Sequence, residues 1–294
     1  MMVKRLDYQE IDFEKYNNCI ENSVQKNFYC EKKTLDFLSK NWELLVYGDY
    51  EAVMPIPFVK KTFFKVVLMP LFCQQLGIFG KSDKVINEKF LKFLKSNYNV
   101  INYSFNFHND FETELTAKKN FFLPVQEYAF LRRKKYFKGR KSTVKTAQYL
   151  EFREVFAQKD ILEFIKNNFK GLEKESDMDF FIQYLMFLDQ KKQLKMFGSY
   201  YEKNLTNVAV LIDNENYFSL LGLLNNEELK SHNGASFLID RILDLNIEIK
   251  AFNFMGGSIR GIEVFFKSFG SDLQEYHVIQ NSKKDLIKNW LKIS

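Results

Sequence analysis

One order of elements occurs twice along these 294 residues, and that recurrence restricts the folds open to the chain more than any other feature. In the first half, DFEKYNNCIENS and EKKTLDFLSKN carry apolar residues at helical spacing. WELLVYGDYEAVMPIPFVKK then reads as two strands turning at Gly48-Asp49, and FFKVVLMP as a further strand. The loop LFCQQLGIFGKSDK, the amphipathic helix VINEKFLKFLKSN and the alternating strand VINYSFNFH follow. Beyond residue 145 the order restarts: KDILEFIKNNFKG and DMDFFIQYLMFLDQKK read as helices. LKMFGSYYE, LTNVAVLID and YFSLLGLLN form a strand meander with polar turns near Lys203-Asn204 and Asn214-Glu215-Asn216. The helix GASFLIDRILDLN, the strand IKAFNFMG, a short helix opening near Ser258 and the strand EYHVIQN complete it. Residue identity between the halves is too low for a sequence repeat; it is the architecture that recurs. The pattern predicts an α/β (α+β) protein of two domains, residues 1–130 and 131–294, each with its own core and a mixed, mostly antiparallel sheet flanked by helices.

A chain with 46% hydrophobic and 17% aromatic residues can fill two such cores, which excludes disorder. No stretch approaches the roughly 18 consecutive apolar residues of a membrane span, so no transmembrane segment is expected. The opening MMVKRLDYQEIDFEKYNNC mixes charges from the start and lacks the apolar run of a signal peptide, which predicts a cytoplasmic protein. Cys19, Cys30 and Cys73 match no zinc or redox spacing and read as buried thiols in a reducing compartment. His108, His232 and His277 are too scattered to form a metal pair, and no metal site is predicted.

The formal net charge of +6 is spread among 37 acids and decides little. Residues 132–145, RRKKYFKGRKSTVK, differ: they hold eight cations, no acid, and the aromatics Tyr136 and Phe137. The run reads either as a solvated linker between the domains or as a site for an anionic group, whether a phosphorylated substrate, a tRNA or an anionic lipid surface. In the second reading Arg132, Arg133, Arg140 and Lys141 are the candidate substrate-binding cations. No DNA partner is expected.

FNFMGGSIRGIEVFFKSFG, residues 252–270, joins an alternating strand, a glycine pair, a short amphipathic run and a closing glycine. Gly256, Gly257 and Ser258 open a helix, where free amides and a bare backbone can approach an anion or a polarised carbonyl; the same residues also suit a tight strand-to-helix turn. No Gly-Lys-Ser/Thr follows, and the glycine spacing does not fit a dinucleotide fingerprint. The spacing places Ile259, Ile262, Phe266 and Phe269 on one helix face toward the core and Lys267 elsewhere, with Gly270 as a left-handed cap. A lysine at that position also complements the helix dipole.

This segment resembles the C-terminal region of FemAB-type aminoacyltransferases and related acetyltransferase-like proteins. The resemblance rests on Asn253-Phe254, Gly256-Gly257-Ser258, Gly261-Ile262 and Phe266-Lys267-Ser268-Phe269-Gly270, and on the preceding NGASFLIDRILDLNIE. It is strong over about residues 205–280 and weaker in KGRKSTVKTAQYLEF, which is similar to the basic helix opening the family's second half. The family is built from two tandem GNAT-like folds, in agreement with the recurrent element order. The resemblance implies acyl transfer without a covalent enzyme intermediate: an amine attacks an activated carbonyl presented between strands, and Lys267, beside the core anchor Phe266, reaches the reacting carbonyl or the donor's phosphate.

In GNAT proteins that use acyl-CoA, Gln/Arg-x-x-Gly-x-Gly/Ala stands between the fourth strand and the next helix. Here that place reads Ser231, His232, Asn233, Gly234, Ala235, Ser236, which are the candidate donor-binding residues. Gly234 matches, while Ser231 and Ser236 depart from the pattern. The resemblance therefore implies no permanently bound cofactor and leaves acyl-CoA and aminoacyl-tRNA as alternative donor substrates. The acceptor is expected to be the amine of a small molecule or cell-envelope precursor. A catalytically degenerate pair that only binds a ligand or partner is the alternative.

Overall fold

The computed structural model describes residues 1–61, 64–172 and 174–282. The chain divides into two compact units: Met1–Lys118 together with the segment from Glu275 onward, and Lys119–Gln274. The boundary expected between residues 130 and 131 therefore falls inside the second unit.

In the first unit, β1 (Val3–Leu6) precedes α1 (Phe13–Glu21) and α2 (Lys32–Leu38). The strands β2 (Trp42–Tyr47), β3 (Ala52–Lys61), β4 (Phe64–Val67) and β5 (Phe79–Gly80) come next, then α3 (Lys84–Asn97), β6 (Asn99–Val100) and β7 (Asn102–Ser104). Aspartates start two of these helices: the Asp12 carboxylate accepts from the amides of Glu14 and Lys15, and Asp83 from Ile86. The strands run β1-β2-β3-β4-β6, antiparallel up to β4 and parallel between β4 and β6, with β5 against β3. Every residue of β2 is buried, as expected of a central strand. The expected strand FFKVVLMP begins at Phe63, outside the described residues; its remainder supplies β4.

The second unit holds most of β8 (Thr116–Leu123), then α4 (Tyr128–Phe130), which continues as a π-helical turn over Leu131–Lys135, and α5 (Lys138–Thr146). β9 (Glu151–Val155), α6 (Lys159–Asn168), α7 (Glu175–Gln190), β10 (Leu194–Tyr201), β11 (Asn204–Asp213) and β12 (Tyr217–Asn225) follow. α8 (Gly234–Asn246), β13 (Ala251–Asn253), α9 (Arg260–Lys267) and β14 (Asp272–Gln280) complete it. β9 to β12 are antiparallel neighbours, β13 lies parallel to β12, and β8 pairs antiparallel with β13. Each unit is thus an antiparallel meander closed by a parallel strand that a helix, α3 or α8, delivers. From Glu275 on, β14 belongs to the first unit, where Val278–Gln280 pair with β7.

The basic run 132–145 is no linker. It is helical on either side of Tyr136-Phe137, and its buried Tyr136 and Val144, with Leu131 just before it, hold it to the second unit; Tyr136 meets Phe269 edge-on at 5.3 Å. The expected core face of α9 is corrected in the same way. Phe266 and Phe269 are buried, but Ile259 and Ile262 are 67% and 41% exposed, because the core formed with Phe121 and Phe254 reaches only the last turn. Gly270 does adopt a left-handed φ of 76°.

Candidate functional site: a parted strand pair in the second unit

β12 and β13 pair in parallel over three residues only, Tyr217–Ala251, Phe218–Phe252 and Ser219–Asn253. Beyond Ser219 they part. The Phe254 amide turns to the Phe121 carbonyl of β8 at 2.9 Å, while β12 continues to Asn225 along β11, with Leu221 unpaired in a bulge. A strand that leaves its parallel neighbour exposes backbone groups to whatever lies in the gap.

From the end of β12 the chain passes through a 3₁₀ turn, Glu227–His232, and enters α8 through Asn233, whose φ is 59°. Gly234 is needed there: a Cβ would collide with Asn207 Oδ1 and Thr206 Oγ1. Those groups belong to a buried polar cluster in which the Ser199 and Thr206 hydroxyls meet at 2.6 Å. The first amides of any helix lack intrahelical acceptors; here Ser236 turns its amide back to the Asn233 carbonyl at 3.0 Å. Ser231 and Asn233 are exposed, and His232 is half-buried against Tyr149 and Tyr201.

Arg140 of α5 joins this helix start to the segment after α9. Its Nε donates to Ser268 Oγ at 2.8 Å, its Nη1 donates to Ser236 Oγ, and the guanidinium lies 4.4 and 4.6 Å from the Phe265 and Phe269 rings. Burial lowers its pKa to about 10, which leaves it charged at neutral pH. Of the other expected cations, Lys141 donates to the Arg133 carbonyl at 2.6 Å and Arg133 faces solvent. Arg132 acts on Asp240 of α8, a carboxyl raised by burial and opposed by the Tyr128 hydroxyl (2.9 Å) and then by Arg132 itself. These cations are thus distributed over separate contacts.

Lys267 sits in an ion-paired set that sequence reading missed. Its ammonium lies 2.6 Å from Glu263, which also binds Lys119 at 2.8 Å, and 5.7 Å from the Phe121 ring centre. The bonds from Lys119 and Lys267 pull the Glu263 carboxyl down to about 2, so it is ionised throughout the physiological range and is a poor general base. Phe266 packs in the core with Phe121 and Phe254. Phe121 also accounts for one glycine: its ring fills the place of a Gly257 Cβ, and Gly257 has a φ of 126°. Gly256, at φ 129°, donates its amide to Asn120 Oδ1 at 3.2 Å, whereas Ser258 is exposed. Glu263 was legible as the residue four before Lys267. Lys119, Asn120 and Phe121 were not, because TAKKNFFL has no strict apolar alternation to mark β8 as a strand.

The first unit has a polar cleft of about 570 Å³ bordered by Tyr8, Trp42, Glu43 and Lys65. There the buried Glu43 pairs with Lys65 at 2.5 Å and accepts from Tyr98. All three cysteines are buried free thiols. Among the described residues no group of three or more His, Cys, Asp or Glu could hold a metal ion, and no helix is long and apolar enough to cross a membrane.

A meander closed by a parallel strand through a helix, made twice, with the strand pair parting beside that helix in the second unit, is a tandem GNAT-like fold. Among solved structures, the chain is similar to FemX (TM-score 0.63, 10% identity, covering 97% of this chain and 99% of that one). It is also similar to a conserved protein of unknown function from Bacteroides thetaiotaomicron VPI-5482 (0.57, 13%, 95% and 100%). A tandem GNAT protein from the clavulanic acid biosynthesis pathway also resembles it (0.54, 8%, 94% and 97%). At these identities the likeness concerns the fold. No family model and no curated protein sequence matches the chain.

Proposed function

We propose that the protein is an acyltransferase that moves an acyl or aminoacyl group onto the amine of a small molecule or cell-envelope precursor, with acyl-CoA or aminoacyl-tRNA as donor. The observation that carries this reading is the parting of β12 from β13 after Ser219 within a tandem GNAT-type fold. In the gap an activated carbonyl can accept hydrogen bonds from strand amides while the amine nitrogen attacks its carbon. The thioester C–S or ester C–O bond then breaks, the thiol or 3′-hydroxyl leaves, and the amine's proton passes to the leaving group or to water. The donor's phosphate is assigned to the segment Ser231–Ser236, and Arg132, Arg133, Lys141 and the Gly256-Gly257-Ser258 turn to the substrates' anionic parts.

Lys267 is assigned to the developing oxyanion or the donor's phosphate, with Phe266 fixing its position. A preorganised cation there contributes roughly 3 kcal/mol, about a hundredfold in rate. Lys267→Met keeps the stem and the helix propensity, so turnover should fall about a hundredfold while stability changes by less than about 1 kcal/mol. Full activity with reduced stability would leave Lys267 as a helix-end cation. Native mass spectrometry of the purified protein separates the donors by the mass that co-purifies. The contact between Lys267 and Glu263 favours a second reading, a pair that binds without turnover, because it keeps the ammonium occupied. Bound ligand with no product under any donor would decide for it.

A further inference from the structure

Tyr149, Tyr201 and His232 form an aromatic corner at the entry to α8. Tyr201, the last residue of β10, packs on the small cluster of Ala147, Leu150 and Phe237. The His232 imidazole stacks on Tyr201, with ring centres 4.1 Å apart and planes 26° from parallel. Tyr149 stands across both rings, 80° from Tyr201 and 75° from His232, and shares a 2.7 Å hydrogen bond with His232 Nδ1. Layers thus build outward from the core, from Leu150 and Phe237 through Tyr201 to His232, with Tyr149 as a side wall.

Tyr149 is 59% exposed, yet two ring contacts and a hydrogen bond fix its direction. Only one face of the imidazole is taken by Tyr201. A flat ring laid on the other face would have Tyr149 along its edge and could reach His232 Nε2 with a polar group. The acid-free helix α5, which carries Lys138, Lys141 and Lys145, packs on α8 and supplies positive charge for a phosphorylated ligand. Stacked aromatics beside lysines match a nucleobase joined to phosphate.

We propose that this corner is the binding site for the terminal adenosine of the donor, a chemistry shared by coenzyme A and the 3′ end of a tRNA. The assignment rests on the donor reading above and adds the residues that read the donor's base. His232 is the stacking platform, Tyr201 its support and Tyr149 the wall that sets its direction.

The test is calorimetric titration of the full chain, at about 50 mM salt where phosphate contacts are strong, with coenzyme A, 4′-phosphopantetheine (which lacks the adenosine) and the RNA tetranucleotide ACCA. His232→Ala should weaken the adenosine-bearing ligand about 5- to 150-fold, the worth of one stacked base, and weaken 4′-phosphopantetheine, which keeps only the phosphate contact, much less. His232→Phe, which retains a ring, should recover most of the loss, and Tyr149→Ala should weaken the same ligand. A loss confined to coenzyme A or to ACCA identifies which one is the donor. If folded His232→Ala and Tyr149→Ala bind every ligand as the wild type does, the corner is not the adenosine site although the donor reading stands. If the wild type binds neither coenzyme A nor ACCA, both fail together.

Discussion

At the scale of single residues, Glu263 makes the sharpest claim, because one carboxylate is shared by Lys119 and Lys267. Its folded pKa, about 2, lies below the ordinary 4.5. Its contribution to stability is therefore complete above about pH 4.5 and is lost as pH falls from there toward 2. Glu263→Gln should remove that loss: in urea titrations at pH 7 and pH 3, the wild type should lose more stability on acidification than the variant. Equal losses would mean that the two ammonium groups do not hold the carboxylate. Phe266, buried against the Phe121 and Phe254 rings in the same region, answers differently; Phe266→Ala should cost about 3 to 5 kcal/mol through the cavity it leaves. That Phe266 and Phe269 are core residues was legible from spacing, whereas the exposure of Ile259 and Ile262 was not. Periodicity gives the direction of a side chain, but the reach of the core along a short helix depends on Phe121 and Phe254, which are remote in sequence.

Among the elements, the helices and the β10 to β12 meander were readable because their apolar residues recur at the helical or strand period. β1 and β9 were not: VKRL and EFREV are short and charged, with no buried residue in the first and one in the second, so pairing rather than side-chain pattern makes them strands. The basic run 132–145, which contains α5, leaves the question open in sequence because its eight cations mask the few apolar residues that bury it. Gly234 of α8 and Gly139 of α5 allow a test of what glycine does in each helix. Gly234→Ala would drive a Cβ into Asn207 and Thr206 and should destabilise by about 1 to 3 kcal/mol. Gly139→Ala, on α5 with nothing within 4 Å, should stabilise by about 0.5 to 1 kcal/mol by restricting the unfolded chain and favouring helix. Chemical denaturation of both variants reads the two signs; a neutral Gly234→Ala would show that α8 does not approach the Ser199–Thr206 cluster closely.

On the scale of the whole molecule, the two-unit architecture was legible in the recurrence of element order, but its division was not. The chain crosses from one unit to the other at Lys118 and returns at Glu275, and the pairing of Val278–Gln280 with Asn102–Ser104 leaves no local signature in either segment. Val278 and Ile279 are buried, and the Phe105 amide donates to the His277 carbonyl at 2.9 Å. Val278→Asp should therefore speed hydrogen exchange at the amides of Asn102–Ser104 and Phe105; unchanged protection there would refute that pairing. The return of the chain also sets an order in time. As the protein emerges from the ribosome, every residue of the second unit appears before the strand that completes the first, a delay of roughly eight to thirty seconds at about 5 to 20 residues per second. During that interval β7 has an unsatisfied edge, and the nascent first unit is a natural client for a chaperone until residues 275–282 arrive.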